Sequence, residues 1–202
     1  RDFAFATSKS YMWDGMAVDI NGKKVMAYSL FPLEAKKLWE EHSTKVVANT
    51  LKIYSKHTFD YPYPQATSVN VQMGMEYPMI CFNFGRCDEN GNYSERTKRG
   101  MISVITHEVG HNYFPMIVNS DERQWTWMDE GIDSFVQILA LYEYDPELFP
   151  MSRYPKNIVG YMKGDQSRLA PIMNQGDNTI NFGSNAYAKP AAGLFILRQT
   201  KI

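Results

Sequence analysis

Residues 101–130 read MISVITHEVGHNYFPMIVNSDERQWTWMDE, and this stretch decides how the rest of the chain is interpreted. It contains the pattern HExxH at residues 107–111, and Glu130 follows after a gap of eighteen residues. Histidines at positions i and i+4 of a helix lie about 40° apart around its axis and roughly 6 Å apart along it. Both imidazoles therefore face the same way. The apolar run at 101–105 predicts a buried helix, whose polar side chains then need partners.

This arrangement predicts a catalytic zinc site. His107 and His111 suit two corners of a tetrahedral site, and Glu130, from a second helix, would be the third protein ligand. The fourth position stays open, which is typical of catalytic rather than structural zinc. Glu108 lies beside the two histidines, placed to hold a metal-bound water. The alternative is a chance HExxH on a surface helix, and the apolar run together with Glu130 argues against it.

Composition excludes several classes of function. The 202 residues carry a net charge of -1, so no bulk electrostatic field draws the chain to nucleic acid or to an anionic membrane. There is no glycine-rich phosphate loop, no basic patch, and no apolar run long enough to span a bilayer. The chain has neither an initiator methionine nor a signal-type segment at its start. We therefore expect a piece of a longer protein.

Two cysteines, Cys81 and Cys87, leave two interpretations open. Their spacing would allow a small disulfide loop in an oxidising compartment. Alternatively, Cys81 is a buried strand residue and Cys87 is a loop thiol. A zinc site built on them is disfavoured, because no second Cys or His pair accompanies them.

The first hundred residues predict mainly strands and one long helix. Asn21-Gly22 is a strong hairpin signal between two of the strands. A helix is expected from Pro32 to about His57, and a polar, mobile loop from 85 to 100 that holds the charged residues Glu95, Arg96, Lys98 and Arg99. The strands are predicted at 3–5, 16–20, 25–30, 67–72 and 79–84.

The second half predicts helices. The helix of the HExxH pattern is expected from about 100 to 114, and the helix of Glu130 from about 128 to 144. Residues 147–186 are expected to be irregular, and a last helix starts near Tyr187. Strands precede helices without a βαβ alternation, so we predict the α+β class.

Three motifs in this order resemble those of the gluzincin zinc aminopeptidases, the family of aminopeptidase N and leukotriene hydrolase. They are GMEYP at 74–78, HExxH with Glu130, and Tyr-Ala-Lys at 187–189. The resemblance implies a thermolysin-like metallopeptidase catalytic domain over 1–202. Residues 1–100 would be a mainly β lobe with one long helix, and 101–202 a helical lobe with the zinc site. The family's preceding and following domains would be absent, so the catalytic domain is expected to be incomplete at its carboxyl end.

The resemblance also implies a role for each site residue. One Zn²⁺ per chain would be bound by His107, His111 and Glu130, and Glu108 would be the general base. Tyr187 would donate its hydroxyl to the developing oxyanion. Substrate would be bound by Gly74, Met75 and Glu76, with Glu76 on the free amino terminus of a peptide. A glycine at 74 would also let the backbone approach substrate closely, as an added edge strand.

The expected activity is that of a hydrolase, a metalloprotease that removes amino-terminal residues from peptides. Two alternatives remain. One is a zinc endopeptidase of thermolysin type, in which Glu76 is not at the site. The other is a non-catalytic relative that serves as an interaction module. Family habit favours a periplasmic or exported bacterial enzyme, although the sequence itself does not determine the compartment.

Overall fold

The computed structural model describes residues 2–151, 154–173 and 180–200. The chain divides into two units, Arg1–Asn112 and Tyr113–Ile202. The division falls beyond the HExxH helix rather than at residue 100, because that helix packs on elements of the first unit. The assignment of all 202 residues to one catalytic domain stays a prediction.

The first unit is built on a five-stranded sheet. Its strands lie in the order β1-β2-β3-β5-β4, with β2 and β3 parallel, β3 and β5 parallel, and the other neighbours antiparallel. Asn21 and Gly22 join the first two strands, and both have positive φ, 50° and 84°, as a tight hairpin turn requires. The predicted hairpin is thus confirmed. The strands are β1 Met12–Ile20, β2 Lys23–Phe31, β3 Gln65–Asn70, β4 Met75–Tyr77 and β5 Ile80–Asn83.

The long helix α1, Lys36–His57, connects β2 to its parallel neighbour β3. It is preceded by a short 3-10 turn, Leu33–Ala35, and buries an apolar stripe that includes Leu38, Trp39 and Leu51. This connection is a single βαβ unit, in an order of elements that does not alternate as βαβ along the chain. The coarser prediction, a β-sheet first and helices after it, is confirmed. The thermolysin-like designation and the incompleteness at the carboxyl end stay predictions.

Two local predictions need correction, and one strand was missed. Residues 3–5 form no strand, and the side chains of Phe3 and Phe5 are 88% and 74% exposed. The strand β4 was not predicted, because three residues are too short to show an alternating pattern. The predicted mobile loop ends early: helix α2 spans Glu95–Gly110, and its N-cap Ser94 accepts a hydrogen bond from the Thr97 amide. The charged cluster therefore lies on the first turns of a helix.

The predicted burial of α2 is confirmed. Met101, Ile102, Ile105 and Val109 are buried, and the helix packs on α1 and β5. Beyond it, the segment Asn112–Ile117 is irregular, with extended backbone at Phe114 before Pro115. The regular helix consequently ends a few residues before the predicted end at 114.

The second unit is helical. The turn Trp127–Gly131 leads into α3, Ile132–Tyr144, and the turn Gly183–Ala188 leads into α6, Lys189–Gln199. Two short helices lie between them, α4 at Tyr154–Asn157 and α5 at Val159–Met162, followed by the turn Gln166–Arg168. The helix α3 packs on α6. The predicted irregular region agrees with these short pieces where the structure describes it; 152–153 and 174–179 lie outside the described residues.

The structure also shows the state of the two cysteines and the character of the helices. Cys81 and Cys87 are free thiols, and Cys81 is buried in β5, so the second of the two interpretations holds. Burial raises the pKa of the Cys81 thiol, which keeps it neutral. Among the described residues, no helix combines the length and the apolar character needed to cross a bilayer.

Candidate metal centre

The two histidines of the HExxH pattern point at one place. The Nε2 atoms of His107 and His111 are 3.2 Å apart, and the rings meet nearly edge to face at 79°. Tetrahedral zinc with Zn–N bonds of about 2.05 Å places two such nitrogens about 3.3 Å apart. His111 is only 1% exposed, so its ring is held by its surroundings. This pair therefore fits two of the ligand positions of a zinc ion.

Two carboxylates lie beside His111 in the first unit. Glu108 is on α2 and 6% exposed, and Glu76 is on the edge strand β4, opposite Cys81 of β5. Ligand atoms of Glu76, Glu108 and His111 all lie within 4.8 Å of one another. The structure thus brings the glutamate of GMEYP to the HExxH helix.

This cluster has a clear electrostatic preference. Two ionised carboxylates this close repel each other, and the repulsion is stronger where water is largely excluded. A cation near both of them removes that cost. The cluster is therefore suited to binding a cation.

Gly74 and Met75 lead into the strand that carries Glu76. Met75 begins β4 and lies opposite Phe82 of β5. A Cβ atom on Gly74 would lie 2.5 Å from Oε1 of Glu108 and 2.9 Å from Cγ2 of Val104. The space above Gly74 is therefore filled by the side chains of α2, which gives a reason for glycine beyond the predicted approach of substrate.

Asn112 is a site residue that sequence reasoning missed. Its Oδ1 accepts a hydrogen bond of 2.7 Å from the Met79 amide, and its Nδ2 donates to the Val109 carbonyl at 3.0 Å. Met79 has a positive φ of 63°, a backbone conformation that is unfavourable for residues other than glycine. Asn112 therefore ties the turn after β4 to the end of α2. An asparagine directly after HExxH was the available signal.

In the second unit, Glu130 and Tyr187 are in contact. The Tyr187 hydroxyl donates to Oε1 of Glu130 at 2.7 Å. Gly131 makes the approach possible, because a Cβ there would lie 2.6 Å from Cβ of Pro190 and 3.0 Å from the Ala186 carbonyl oxygen. Gly131 was also missed, since only the packed structure shows what it faces.

The predicted site residues thus form two local groups. His107, His111, Glu108 and Glu76 are arranged in the first unit, and Glu130 and Tyr187 in the second. Their joint action as one zinc centre stays a prediction.

Comparisons with solved structures show the fold. An M1 zinc metallopeptidase from Deinococcus radiodurans matches with a TM-score of 0.69 at 14% identity, over 96% of this chain and 41% of that one. A glutamate-to-alanine mutant from the same organism matches with a TM-score of 0.68 at 13% identity, over 96% and 42%. The chain thus spans about two-fifths of the length of these structures. A search among curated proteins finds no match.

A comparison with protein families identifies the chain. The model of the "Peptidase family M1 domain" matches residues 42–200, which include HExxH, Glu130 and Tyr187. The predicted resemblance to the zinc aminopeptidases is thereby confirmed. The metallopeptidase class and zinc as the cofactor are also confirmed at the level of the family. The chain belongs to peptidase family M1.

Proposed function

We propose that this chain is the catalytic domain of a zinc-dependent aminopeptidase, which removes amino-terminal residues from peptides. The observation that supports it best is the carboxylate of Glu76 beside Glu108 and His111. An anionic group at the edge of a metal site suits the ammonium group of a substrate. Related M1 zinc metallopeptidases have been solved with L-arginine, with L-tryptophan and with a Tyr-Ser-Ala substrate, which accords with ligands of this kind.

His107, His111 and Glu130 are the proposed zinc ligands. The 3.2 Å separation of the two imidazole nitrogens supports the first two. When bound, zinc supplies Lewis-acid polarisation of the scissile carbonyl and acidifies the attacking water. The helix α2 contributes rigidity, because its buried apolar face fixes the direction of both imidazoles.

Glu108 is the proposed general base. It accepts a proton from the attacking water at its carboxylate and then passes that proton to the nitrogen of the leaving amine as the peptide bond breaks. Its position one residue after His107 and its small exposure support this role. Because the base has little contact with bulk water, it exchanges protons with the reacting groups rather than with solvent.

Glu76 is the proposed anchor for the α-ammonium group. A charge-assisted hydrogen bond from ammonium to carboxylate fixes the first residue, so that only the first peptide bond reaches the zinc. Glu76 lies on β4, which ends the sheet order and pairs only with β5 among the described strands. A peptide can therefore add to its outer edge as a further strand, with Met75 at the start of the contact.

Tyr187 is the proposed donor to the oxyanion. Its hydroxyl donates to Glu130, a proposed zinc ligand, and in this proposal it turns to an oxygen of the bound substrate during the reaction. Such a donor stabilises the negative charge that develops on the carbonyl oxygen.

Zinc content and a panel of aminoacyl reporter substrates test this function on the full-length protein. We expect one zinc per chain and release of free amino acids from unblocked peptides, with no release after amino-terminal acetylation. Cleavage of acetylated peptides at internal bonds would identify an endopeptidase instead.

Two substitutions test the assigned residues. Glu108→Gln should lower kcat by about 10²- to 10⁴-fold, because the base is lost while the shape is kept. Glu76→Gln should lower kcat/KM by roughly 10- to 100-fold, because the ammonium loses a charged partner. Glu89→Gln, on an exposed loop residue, is the matched control and should leave both constants unchanged. Full turnover by Glu108→Gln would contradict the proposed mechanism.

A further inference from the structure

The carboxylate of Glu108 occupies the space where Gly74 would carry a side chain. A Cβ at position 74 would lie 2.5 Å from Oε1 and 3.3 Å from Cδ of Glu108. Val104, one helical turn before Glu108, closes the same space with Cγ2 at 2.9 Å. Glu108 is 6% exposed, so its carboxylate is enclosed on this side.

Space, and not backbone conformation, is what requires glycine at position 74. Among the glycines that the structure describes, positive φ occurs at Gly22, Gly85 and Gly91, and Gly74 is not one of them. The backbone at position 74 therefore lies outside the left-handed region that favours glycine. The only local demand for glycine that the structure shows is the close approach of α2.

We propose that Gly74 is a positioning residue for Glu108, whose carboxylate rests against the bare Cα at the start of β4. This inference rests on the proposed function, because it gives Glu108 the role of general base. Gly74 acts through Glu108 and, in this role, touches no reacting atom. It also couples the anchor strand to the base, since Glu76 follows Gly74 by two residues.

The two neighbours respond differently to an added methyl group. Oε1 of Glu108 is the far end of a flexible side chain, so it can shift by a change of side-chain rotamer without movement of the backbone. Val104 is β-branched and has a restricted χ1 in a helix, so it yields less readily. Because the end of the Glu108 side chain can move, the Gly74→Ala protein is expected to fold. Its Glu108 carboxylate should be displaced by about an ångström. A misplacement of about 1 Å costs on the order of a hundredfold in rate.

The decisive comparison separates this role from direct contact with substrate. In the zinc-loaded full-length protein, Gly74→Ala should lower kcat by about a hundredfold and change KM by less than about threefold. In a Glu108→Ala background, no carboxylate occupies the space beside position 74. There, the added methyl group should cause no further loss of the residual turnover.

Two readouts are independent of turnover. The first is the affinity of the zinc-loaded Glu108→Ala protein for the Tyr-Ser-Ala tripeptide, measured by calorimetry with and without Gly74→Ala. The dissociation constants of the two proteins for the tripeptide should differ by less than about twofold. A tenfold weaker affinity in the protein with Gly74→Ala would show direct substrate contact and overturn the proposal. The second is a crystal structure of the metal-free Gly74→Ala protein, which should show the Glu108 carboxylate displaced. An unmoved carboxylate would overturn the proposal.

Gly100→Ala is the matched control. Gly100 lies on the same helix α2, and a Cβ there would meet only Cε2 of Phe84 at 3.4 Å, an ordinary contact. Its kcat should equal that of the wild type. If Gly74→Ala does not fold, Gly74→Ala/Val104→Ala removes the stiffer obstruction and is measured in its place.

The inference and the proposed function fail differently. An active Glu108→Gln protein would refute the proposed function, and the inference with it. An inactive Glu108→Gln protein together with a Gly74→Ala protein within threefold of wild-type kcat would refute the inference alone.

Discussion

Tyr187 donates its hydroxyl to Oε1 of Glu130 at 2.7 Å, so the proposed oxyanion donor is in contact with a proposed metal ligand. A hydrogen bond to a ligand carboxylate fixes its orientation and tunes its basicity. In the proposed mechanism, the same hydroxyl also donates to the substrate oxygen during the reaction. We therefore expect Tyr187 to affect zinc affinity modestly and turnover strongly.

Tyr187→Phe separates these two effects. We expect kcat to fall by about a hundredfold, because one oxyanion donor is lost. The zinc dissociation constant should rise by about tenfold, the lower end of the range that is typical when a partner of a ligand is removed. Steady-state kinetics and metal competition measure the two quantities. Tyr142→Phe, on the exposed part of α3, is the control, and a loss confined to zinc affinity would contradict the oxyanion role.

Gly131→Ala should disrupt the Glu130–Tyr187 contact. The added Cβ would lie 2.6 Å from Cβ of Pro190 and 3.0 Å from a carbonyl oxygen, so backbone must move. Overpacking of this kind costs about 1–3 kcal/mol. Urea unfolding should show that loss, and zinc affinity should fall as well.

Gly193→Ala is the control for this substitution. Gly193 lies in α6, where a Cβ would meet nothing within 4 Å, and alanine favours a helix by up to about 1 kcal/mol. Equal stability of the Gly131→Ala and Gly193→Ala proteins would contradict the packing argument.

Asn112→Ala should destabilise the first unit. It removes hydrogen bonds to the Met79 amide and the Val109 carbonyl, in a side chain that is 2% exposed. Leaving buried backbone groups unpaired costs about 1–3 kcal/mol, which chemical denaturation would measure.

Met79→Gly tests the same link from the other side. Met79 holds a φ of 63°, and glycine removes a penalty of roughly 1–2 kcal/mol for this conformation. This substitution should therefore recover part of the stability lost in Asn112→Ala. No recovery in the double mutant would mean that the positive φ of Met79 does not lower the stability of the folded protein.

His42 predicts a pH dependence of stability. Burial lowers the pKa of His42 below its usual 6.5, although neighbouring Glu41 opposes the shift. The folded state then binds fewer protons than the unfolded state between the lowered pKa and 6.5. The contribution of His42 is therefore fully present above pH 6.5 and is lost as the pH falls through the lowered value.

The sign is checked by comparing unfolding at pH 7.5 and pH 5.5. His42→Gln should reduce the loss of stability at the lower pH, and an NMR titration should place the His42 midpoint below 6.5. His57→Gln is the control for removal of a histidine from α1. A His42 midpoint above 6.5 would reverse the expectation.

The features that sequence predicted well carry strong local signals. Asn21-Gly22 can adopt positive φ, so the hairpin was evident, and the apolar stripe that includes Leu38, Trp39 and Leu51 defined α1. HExxH predicted that His107 and His111 share a face because helical geometry alone determines it. Family membership, too, followed from motif order.

The features that sequence did not predict depend on distant neighbours. β4 is recognisable only through its pairing with β5, and the start of α2 was hidden because its first turns are as charged as a loop. The contacts of Gly74 with Glu108 and of Asn112 with Met79 join residues more than thirty positions apart. A local sequence pattern does not indicate contacts between residues so far apart in the chain.

The bare Cα at position 74 has a practical consequence for engineering. Programmes that raise expression yield commonly exchange glycine for alanine where the backbone allows it, and this position satisfies that criterion. A library screened on soluble yield alone would keep such a clone, since the obstructing oxygen can swing aside. Selection on turnover would discard it, so the two screens should diverge most sharply here.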